Sequence, residues 1–237
     1  MLMNVAIITA GGSGTRMNIK KRKQFIKIAG KPILCWTLDH FVNHSQIDRI
    51  IITLPQDEIE NFRIYLKKEY SNKQLTLIAG GTKRQDSVLK ALQACPTNTQ
   101  YVLIHDGVRP FISKQLISEL LEQVKQVDGV LPVSRVKNTI KEIDAELVQR
   151  TIPRQNLVNA LTPQVFHYPL ILHLHQKAKA ENLQVTDDAS LCETYGYKVR
   201  YLLTDDGNFK ITDAQDLEIA KCILENNFRS SNEMGKL

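Results

Sequence analysis

Long apolar runs are missing from this chain of 237 residues. None approaches the roughly 18 consecutive apolar residues that a membrane-spanning helix needs, and no membrane partner is expected. Met1 to Gly12 has no cationic stretch ahead of its apolar residues, so it does not read as a signal peptide. Cysteine is scarce. Cys35, Cys95, Cys192 and Cys222 stand 60, 97 and 30 residues apart without a C-x-x-C pair. That spacing argues against a metal site or disulfide scaffold and for reduced, buried thiols in the cytoplasm. With 11 Gly and 8 Pro beside 43% hydrophobic and 24% charged residues, collagen and disorder are excluded as well. What remains is one large globular domain, read as residues 1–228, with a polar, frayed tail over 229–237.

Charge is present, and it is concentrated. Arg16, Lys20, Lys21, Arg22, Lys23, Lys27 and Lys31 fall within sixteen residues that contain no acid. Of the 31 Lys and Arg these seven leave 24, against 25 Asp and Glu, so the basicity is local. A nucleic-acid binder spreads its cations along a face or helix, and no nucleic-acid partner is expected. A concentrated cationic loop suits a compact polyanion such as a nucleoside triphosphate.

Short β-branched runs alternate with amphipathic stretches. Strands are expected at 5–9, 49–54, 75–79, 101–104, 130–133 and 197–203. Helices are expected at 32–43, 57–70, 84–94, 113–127, 163–180, 187–195 and 212–226. The alternation implies an α/β fold: a mostly parallel sheet with helices on both faces. Residues 139–143 and 146–150 flank Asp144-Ala145 and read as an inserted hairpin. This projecting arm, residues 136–155, calls for a partner to cover it.

Ligands of an open parallel sheet bind beyond the carboxyl ends of its strands. Here those ends carry Ala10-Gly11-Gly12-Ser13-Gly14, Gly80-Gly81 and Asp106, and clustered glycines let backbone N–H groups approach a phosphate. A P-loop is excluded, because the only Gly-Lys pair followed by a small residue is Gly30-Lys31-Pro32, which lacks the required Ser or Thr. A dinucleotide fingerprint fails at Met17, where its third glycine should be. The connection to the first helix is about 20 residues long, a length that marks functional loops. Arg16 and Lys23 in it are placed to offset charge developing in phosphoryl or nucleotidyl transfer, whereas Lys20, Lys21, Lys27 and Lys31 read as solvated.

Ala10-Gly11-Gly12-Ser13-Gly14-Thr15-Arg16-Met17 with Lys23-Gln24-Phe25 resembles the opening motif of the sugar- and polyol-phosphate nucleotidyltransferases. Further segments narrow the likeness: Gly80-Gly81-x-x-Arg84-x-x-Ser87-Val88, His105-Asp106-x-x-Arg109-Pro110, Arg154 with Leu161-Thr162-Pro163-Gln164, Thr186-Asp187-Asp188-Ala189-Ser190, and Asn208-x-Lys210-Ile211-Thr212. Together they resemble the 2-C-methyl-D-erythritol 4-phosphate cytidylyltransferase family of the non-mevalonate isoprenoid pathway. The resemblance implies transfer of CMP from CTP to a polyol phosphate, with Mg²⁺ or another divalent cation. Ala10, Gly11, Gly12, Ser13, Gly14 and Arg16 would wrap the CTP phosphates, and Gly81 and Ser87 would read the cytosine. Arg16, Lys23 and Lys210 would be catalytic. Asp106 would contact CTP, the acceptor or the metal ion. Arg109, Thr162, Thr186 and Lys210 would hold the acceptor, joined by Thr139 and Arg154 from the arm of a dimer partner.

Plainer readings stand beside these. Thr186 reads as a helix N-cap, and Thr162-Pro163 as N-cap plus first-turn proline. Arg154 reads as a surface arginine, His173 and His175 as surface histidines, and His105 as a structural hydrogen-bonding residue. Lys210 lies between apolar Phe209 and Ile211, so alternation turns it to the other face. Gly107, where the family more often has Ala or Ser, is expected to loosen its loop. Gly207, where some relatives carry Asp, leaves no second metal carboxylate there. A ribitol 5-phosphate cytidylyltransferase shares most of the motifs. An NAD-binding oxidoreductase is disfavoured by Met17 and the cationic loop, and a non-catalytic nucleotide sensor by the pairing of Arg16 with Lys23.

Overall fold

Alternate residues of the first strand enter two different cores, as the near-continuous apolar run of a two-sided buried strand requires. Ala6 and Ile8 pack on one face of the sheet with Leu34, Leu38, Phe41, Phe62 and Leu120. Val5 and Ile7 pack on the other with Val88, Leu92, Phe166 and Leu174. The computed structural model describes residues 1–12, 22–70, 75–205 and 207–234, the last eight as backbone only.

The elements in order are β1 Met3–Thr9, β2 Lys27–Ile28, β3 Lys31–Pro32, α1 Ile33–Val42, β4 Arg49–Leu54, α2 Ile59–Glu69, β5 Leu75–Ala79, α3 Arg84–Gln93 and β6 Thr99–Asp106. There follow α4 Lys114–Gln123, β7 Gly129–Arg135, β8 Ile140–Asp144, β9 Leu147–Ile152, β10 Val158–Ala160, β11 Gln164–His167, α5 Tyr168–Ala180, α6 Ala189–Thr194, β12 Val199–Leu203 and α7 Ala214–Met234. The main sheet runs β10-β7-β11-β6-β1-β4-β5, with β12 also on β7. β1 pairs in parallel with both β4 and β6, so the chain switches sides of the sheet there. A crevice at such a switch point is where an α/β sheet places its ligand. Thr9 lies opposite Asp106 in that register.

The α/β reading holds, with corrections in the second half. Residues 164–167 form a strand antiparallel to both β6 and β7, and the helix expected from 163 begins at Tyr168. Pairing between two buried strands outweighs the local Thr-Pro helix-start signal, and the Thr162–Pro163 bond is cis. The last helix continues to Met234, through most of the expected frayed tail. Cys35, Cys95 and Cys192 are buried as expected and burial pushes each thiol up to about 12, but Cys222 is exposed. His175 is buried, not a surface residue. Lys31 is not simply solvated, since it pairs with Asp39 and sits 5.0 Å from the Trp36 ring centre.

The arm is a separate two-stranded sheet of β8 and β9, reversing at Ala145 with φ +48°. Among the described residues no helix is long and apolar enough to cross a membrane.

Candidate active site

The carboxyl ends of β1, β5 and β6 open into one cavity of about 300 Å³. Its walls include Ala10, Gly11 and Gly12 after β1, Gly81, Arg84 and Ser87 after β5, Asp106 at the end of β6, and Lys23 and Lys210 across from them. Residues from both ends of the sequence thus share one mouth.

Backbone packing explains the glycine side of this mouth. A Cβ on Gly81 would sit 2.3 Å from that of Asp86, so no larger residue fits against the first turn of α3. Ser87 Oγ accepts a hydrogen bond from Gly81 N–H (2.9 Å) and donates to the Lys83 carbonyl (3.1 Å), which fixes the turn. Buried Gln24 donates through Nε2 to the carbonyls of Ala10 (2.7 Å) and Gly12 (3.1 Å), pinning the start of the glycine segment. Lys23, on the same single turn Lys23–Phe25, donates from Nζ to the Ile211 carbonyl at 3.0 Å. Ser13, Gly14 and Arg16 lie outside the described residues.

The charged side is organised around Asp106. Lys210 Nζ lies 3.0 Å from its Oδ2, Arg109 Nε 3.2 Å from the same oxygen, and Arg84 Nε 3.4 Å from Oδ1. Burial by itself would raise the pKa of this carboxyl. The charges of Arg84, Lys210 and Arg109 outweigh burial and hold it well below the usual carboxylate range. The aspartate is therefore ionised at every working pH, and three cations converge on it with charge to spare for an anionic ligand.

Behind Asp106 the support is neutral. His105 Nε2 faces the Arg109 carbonyl at 3.2 Å, and a carbonyl only accepts, so Nε2 carries the proton. Nδ1 then accepts from Thr162 Oγ1 at 2.9 Å, and Oγ1 in turn accepts from Asp106 N–H at 3.2 Å. Burial lowers the pKa of His105 to about 3, which keeps the ring neutral. The structural reading of His105 is correct. Thr162 is not a helix cap: its hydroxyl is used within this chain of bonds, and its carbonyl accepts from Asn208 Nδ2 at 2.6 Å. Asn208 also offers its own carbonyl to Arg109 Nη1 at 2.9 Å, which joins the segment carrying Lys210 to β6. Gly107 is not a loosening substitution, since a Cβ there would meet Leu34 at 2.9 Å and Ala10 at 3.1 Å. It lets the loop close.

The cavity thus gathers Ala10, Gly11, Gly12, Lys23, Gly81, Ser87, Asp106 and Lys210. Arg109 and Thr162 sit directly behind, in contact with Asp106. Thr139, Arg154 and Thr186 are exposed and do not line this cavity. Thr186 does not cap α6 either; Asp187 Oδ1 accepts from Ser190 N–H at 3.1 Å. Sequence reasoning gave no role to Arg84, although a Gly-Gly-x-x-Arg spacing after a strand places an arginine in the first turn of the next helix. It also overlooked Gln24, whose signal is only its place beside Lys23.

A cavity with a glycine-lined wall and an over-compensated carboxylate suits a phosphate-rich ligand. The model of the family described as 2-C-methyl-D-erythritol 4-phosphate cytidylyltransferase matches residues 4–226. The chain belongs to this family. A family member from Clostridium novyi is 41% identical over 231 residues, covering 95% of this chain and 98% of its own. Another, from Halalkalibacterium halodurans, is 39% identical over 92% of this chain and 95% of its own. The crystal structure of 4-diphosphocytidyl-2C-methyl-D-erythritol synthase from Anaerococcus prevotii superposes with a TM-score of 0.83 at 31% identity, covering 94% of this chain and 99% of that one. The 2-C-methyl-D-erythritol 4-phosphate cytidylyltransferase of Thermus thermophilus gives 0.76 at 27% identity, over 92% and 98%. The family match thus runs along nearly the whole chain.

Proposed function

We propose that this chain transfers the CMP group of CTP to 2-C-methyl-D-erythritol 4-phosphate, releasing pyrophosphate and supplying isoprenoid precursor synthesis in the cytoplasm. The observation that carries the reading is the common mouth: the glycine segment, Lys23, Asp106 and Lys210 face one cavity at the sheet's switch point. A phosphate oxygen of the acceptor attacks the α-phosphorus of CTP. A new P–O bond forms there as the bond to the β-phosphate oxygen breaks, and pyrophosphate leaves with that electron pair. The acceptor phosphate is already ionised, so no protein nucleophile is needed; the task is to bring two anions together and stabilise the charge between them. Lys23, with Arg16 from the same loop, is assigned to the transferring phosphoryl group. Ala10 to Gly14 wrap the phosphates, and Gly81 and Ser87 face the base. Lys210 and Arg109, aligned by Asp106, take the acceptor, with Thr162 fixing Asp106 from behind; Thr186, which does not line the cavity, keeps its assignment to the acceptor only from the family resemblance.

A resident metal ion does not fit the described residues. Both oxygens of Asp106 are engaged by cations, and no group of three His, Cys, Asp or Glu side chains converges elsewhere among the described residues. Asp106 is therefore withdrawn as a metal ligand, and Mg²⁺ enters as the counter-ion of the CTP phosphates, part of the substrate.

The active form is read as a homodimer. Ile143, Leu147 and Val148 on the arm are each more than 60% exposed, an apolar surface that a second copy would cover. Thr139 and Arg154, which do not line the cavity of their own chain, would then complete the site of the other. The test is pyrophosphate release with CTP, Mg²⁺ and either 2-C-methyl-D-erythritol 4-phosphate or ribitol 5-phosphate. Turnover confined to the first acceptor is expected; preference for ribitol 5-phosphate would overturn the assignment.

A further inference from the structure

Arg84 reaches the cavity from one side and a fully buried pair from the other. Its Nη2 lies 2.8 Å from Asp188 Oδ2, while Asp188 Oδ1 faces His175 Nε2 at 3.1 Å. The Asp188 and His175 side chains are 1% and 0% exposed. The carboxylate can only accept, which assigns the proton of a neutral His175 to Nε2.

The elements that carry the pair are tied to the sheet and to α3. Gln164 of β11 accepts from Ala189 N–H (2.9 Å) and donates to Asp187 (2.7 Å), tying the start of α6 to the sheet. His175 comes from α5, packed on α3, whose first residue is Arg84. A continuous row therefore runs His175, Asp188, Arg84, Asp106, Lys210, from the back of the sheet to the mouth. Burying a carboxylate costs several kcal/mol unless it is well paired. If Asp188 only joined α5 to α6, a neutral partner would serve as well and no arginine from the cavity wall would be needed.

We propose that His175 and Asp188 are positioning residues of the transfer reaction: together they fix Arg84, and through it the Asp106 carboxylate that aligns Lys210. The proposal rests on the functional reading above. It is distinct from a charge role. Arg84, Arg109 and Lys210 against Asp106 and Asp188 carry a net charge of +1, so neutralising Asp188 makes the cluster more cationic. A charge role for Asp188 would then tighten binding of the acceptor phosphate. A positioning role loosens the geometry and slows transfer.

The test is steady-state kinetics of His175→Leu, His175→Gln and Asp188→Asn, with melting temperatures measured in parallel. His175→Leu keeps the bulk and loses the donor. It should lower kcat/KM for the acceptor at least about tenfold, the factor that 1.4 kcal/mol represents, and leave KM for CTP nearly unchanged. His175→Gln, whose amide N–H can reach Asp188, should recover most of that loss, and Asp188→Asn should lose more than His175→Leu. A Leu variant that melts earlier but keeps wild-type kcat/KM overturns the proposal. So does a Gln variant as slow as the Leu variant, or a lower acceptor KM with unchanged kcat in Asp188→Asn. Should the Leu variant not fold, Asp188→Asn, which preserves the shape of the carboxylate, carries the same test. The NMR signal of Arg84 Nε–H reads the geometry without turnover: sharp and slowly exchanging in the wild type, broadened in Asp188→Asn. Wild-type protein inactive with both acceptors would sink the functional reading alone, and this signal would still decide the role of the pair.

Discussion

Asp106 and Glu142 are both carboxylates paired with an arginine, and they live in opposite surroundings. Asp106 is 8% exposed beside Arg109 at 10%, and Lys210 and Arg84 also pair with it. Glu142 pairs with Arg150 on the arm, at 48% and 68% exposed. At the mouth the low effective dielectric makes each charge felt strongly, so position there controls chemistry. On the arm water screens the pair, and surface ion pairs of this kind contribute about 0–1 kcal/mol. The arm has no core of its own. Its two strands expose Ile143, Leu147 and Val148, and it gains stability only when another surface covers them.

Substitutions in the two regions can break this contrast. The largest effect is expected at Lys23→Ala, which removes a cation from the transferring group: kcat should fall on the order of 10²–10³-fold. An unchanged kcat would remove Lys23 from the mechanism. Arg109→Ala should act mainly on the acceptor, raising its KM while that for CTP stays nearly constant, because Arg109, held by Asp106, is assigned with Lys210 to the acceptor phosphate. The reverse pattern in initial-rate kinetics would refute the division of the site.

Acid should find the mouth before the arm. His105 has a folded pKa of about 3, below its unfolded value of about 6.5. The unfolded chain therefore takes up this proton first as pH falls. Its contribution is complete above about pH 6.5 and is lost progressively toward pH 3. His40, also lowered by burial, adds to the loss as pH falls below about 6.5. Asp106 and Asp188 are also depressed, and their contributions are lost only below about pH 3.9. Urea midpoints measured from pH 7 to 4 should decline, and the decline should flatten in His105→Gln. A flat wild-type profile would contradict the neutral buried histidine.

Gly107→Ala should destabilise by about 1–3 kcal/mol, since its methyl meets Leu34 and Ala10; thermal melts check this. The smallest effect belongs to the arm. Glu142→Gln should change stability by less than about 1 kcal/mol and leave kcat untouched; a larger shift would mean that the arm's charges are desolvated by a partner surface.

Much of this was legible in order of residues. The two buried faces of β1 follow from an apolar run, and the edge where the cavity opens from glycines after strands. Of the seven clustered cations Lys23 lines that cavity, whereas Arg22 pairs with Asp57 and Lys31 with Asp39. The miss at 163–167 has a clear cause. Val165 and Phe166 pair with β6 and β7, partners distant in sequence, and that pairing overrides the short-range helix signal of Thr-Pro. His175 was misread for another reason: Ile171, Leu174 and Ala178 stand at i−4, i−1 and i+3 from it on the buried face of α5, a local signal that outweighs the polarity of the ring.

Local chemistry, then, determined the α/β class and the edge where the cavity opens, because periodicity and turn geometry act over a few neighbours. Only the tertiary structure decided that Asp106 would be crowded by Arg84, Arg109 and Lys210, that Thr162 would support it, and that His175 would stand behind Asp188. Those contacts join residues up to about a hundred positions apart, and electrostatic strength depends on burial, a property no single stretch of chain possesses.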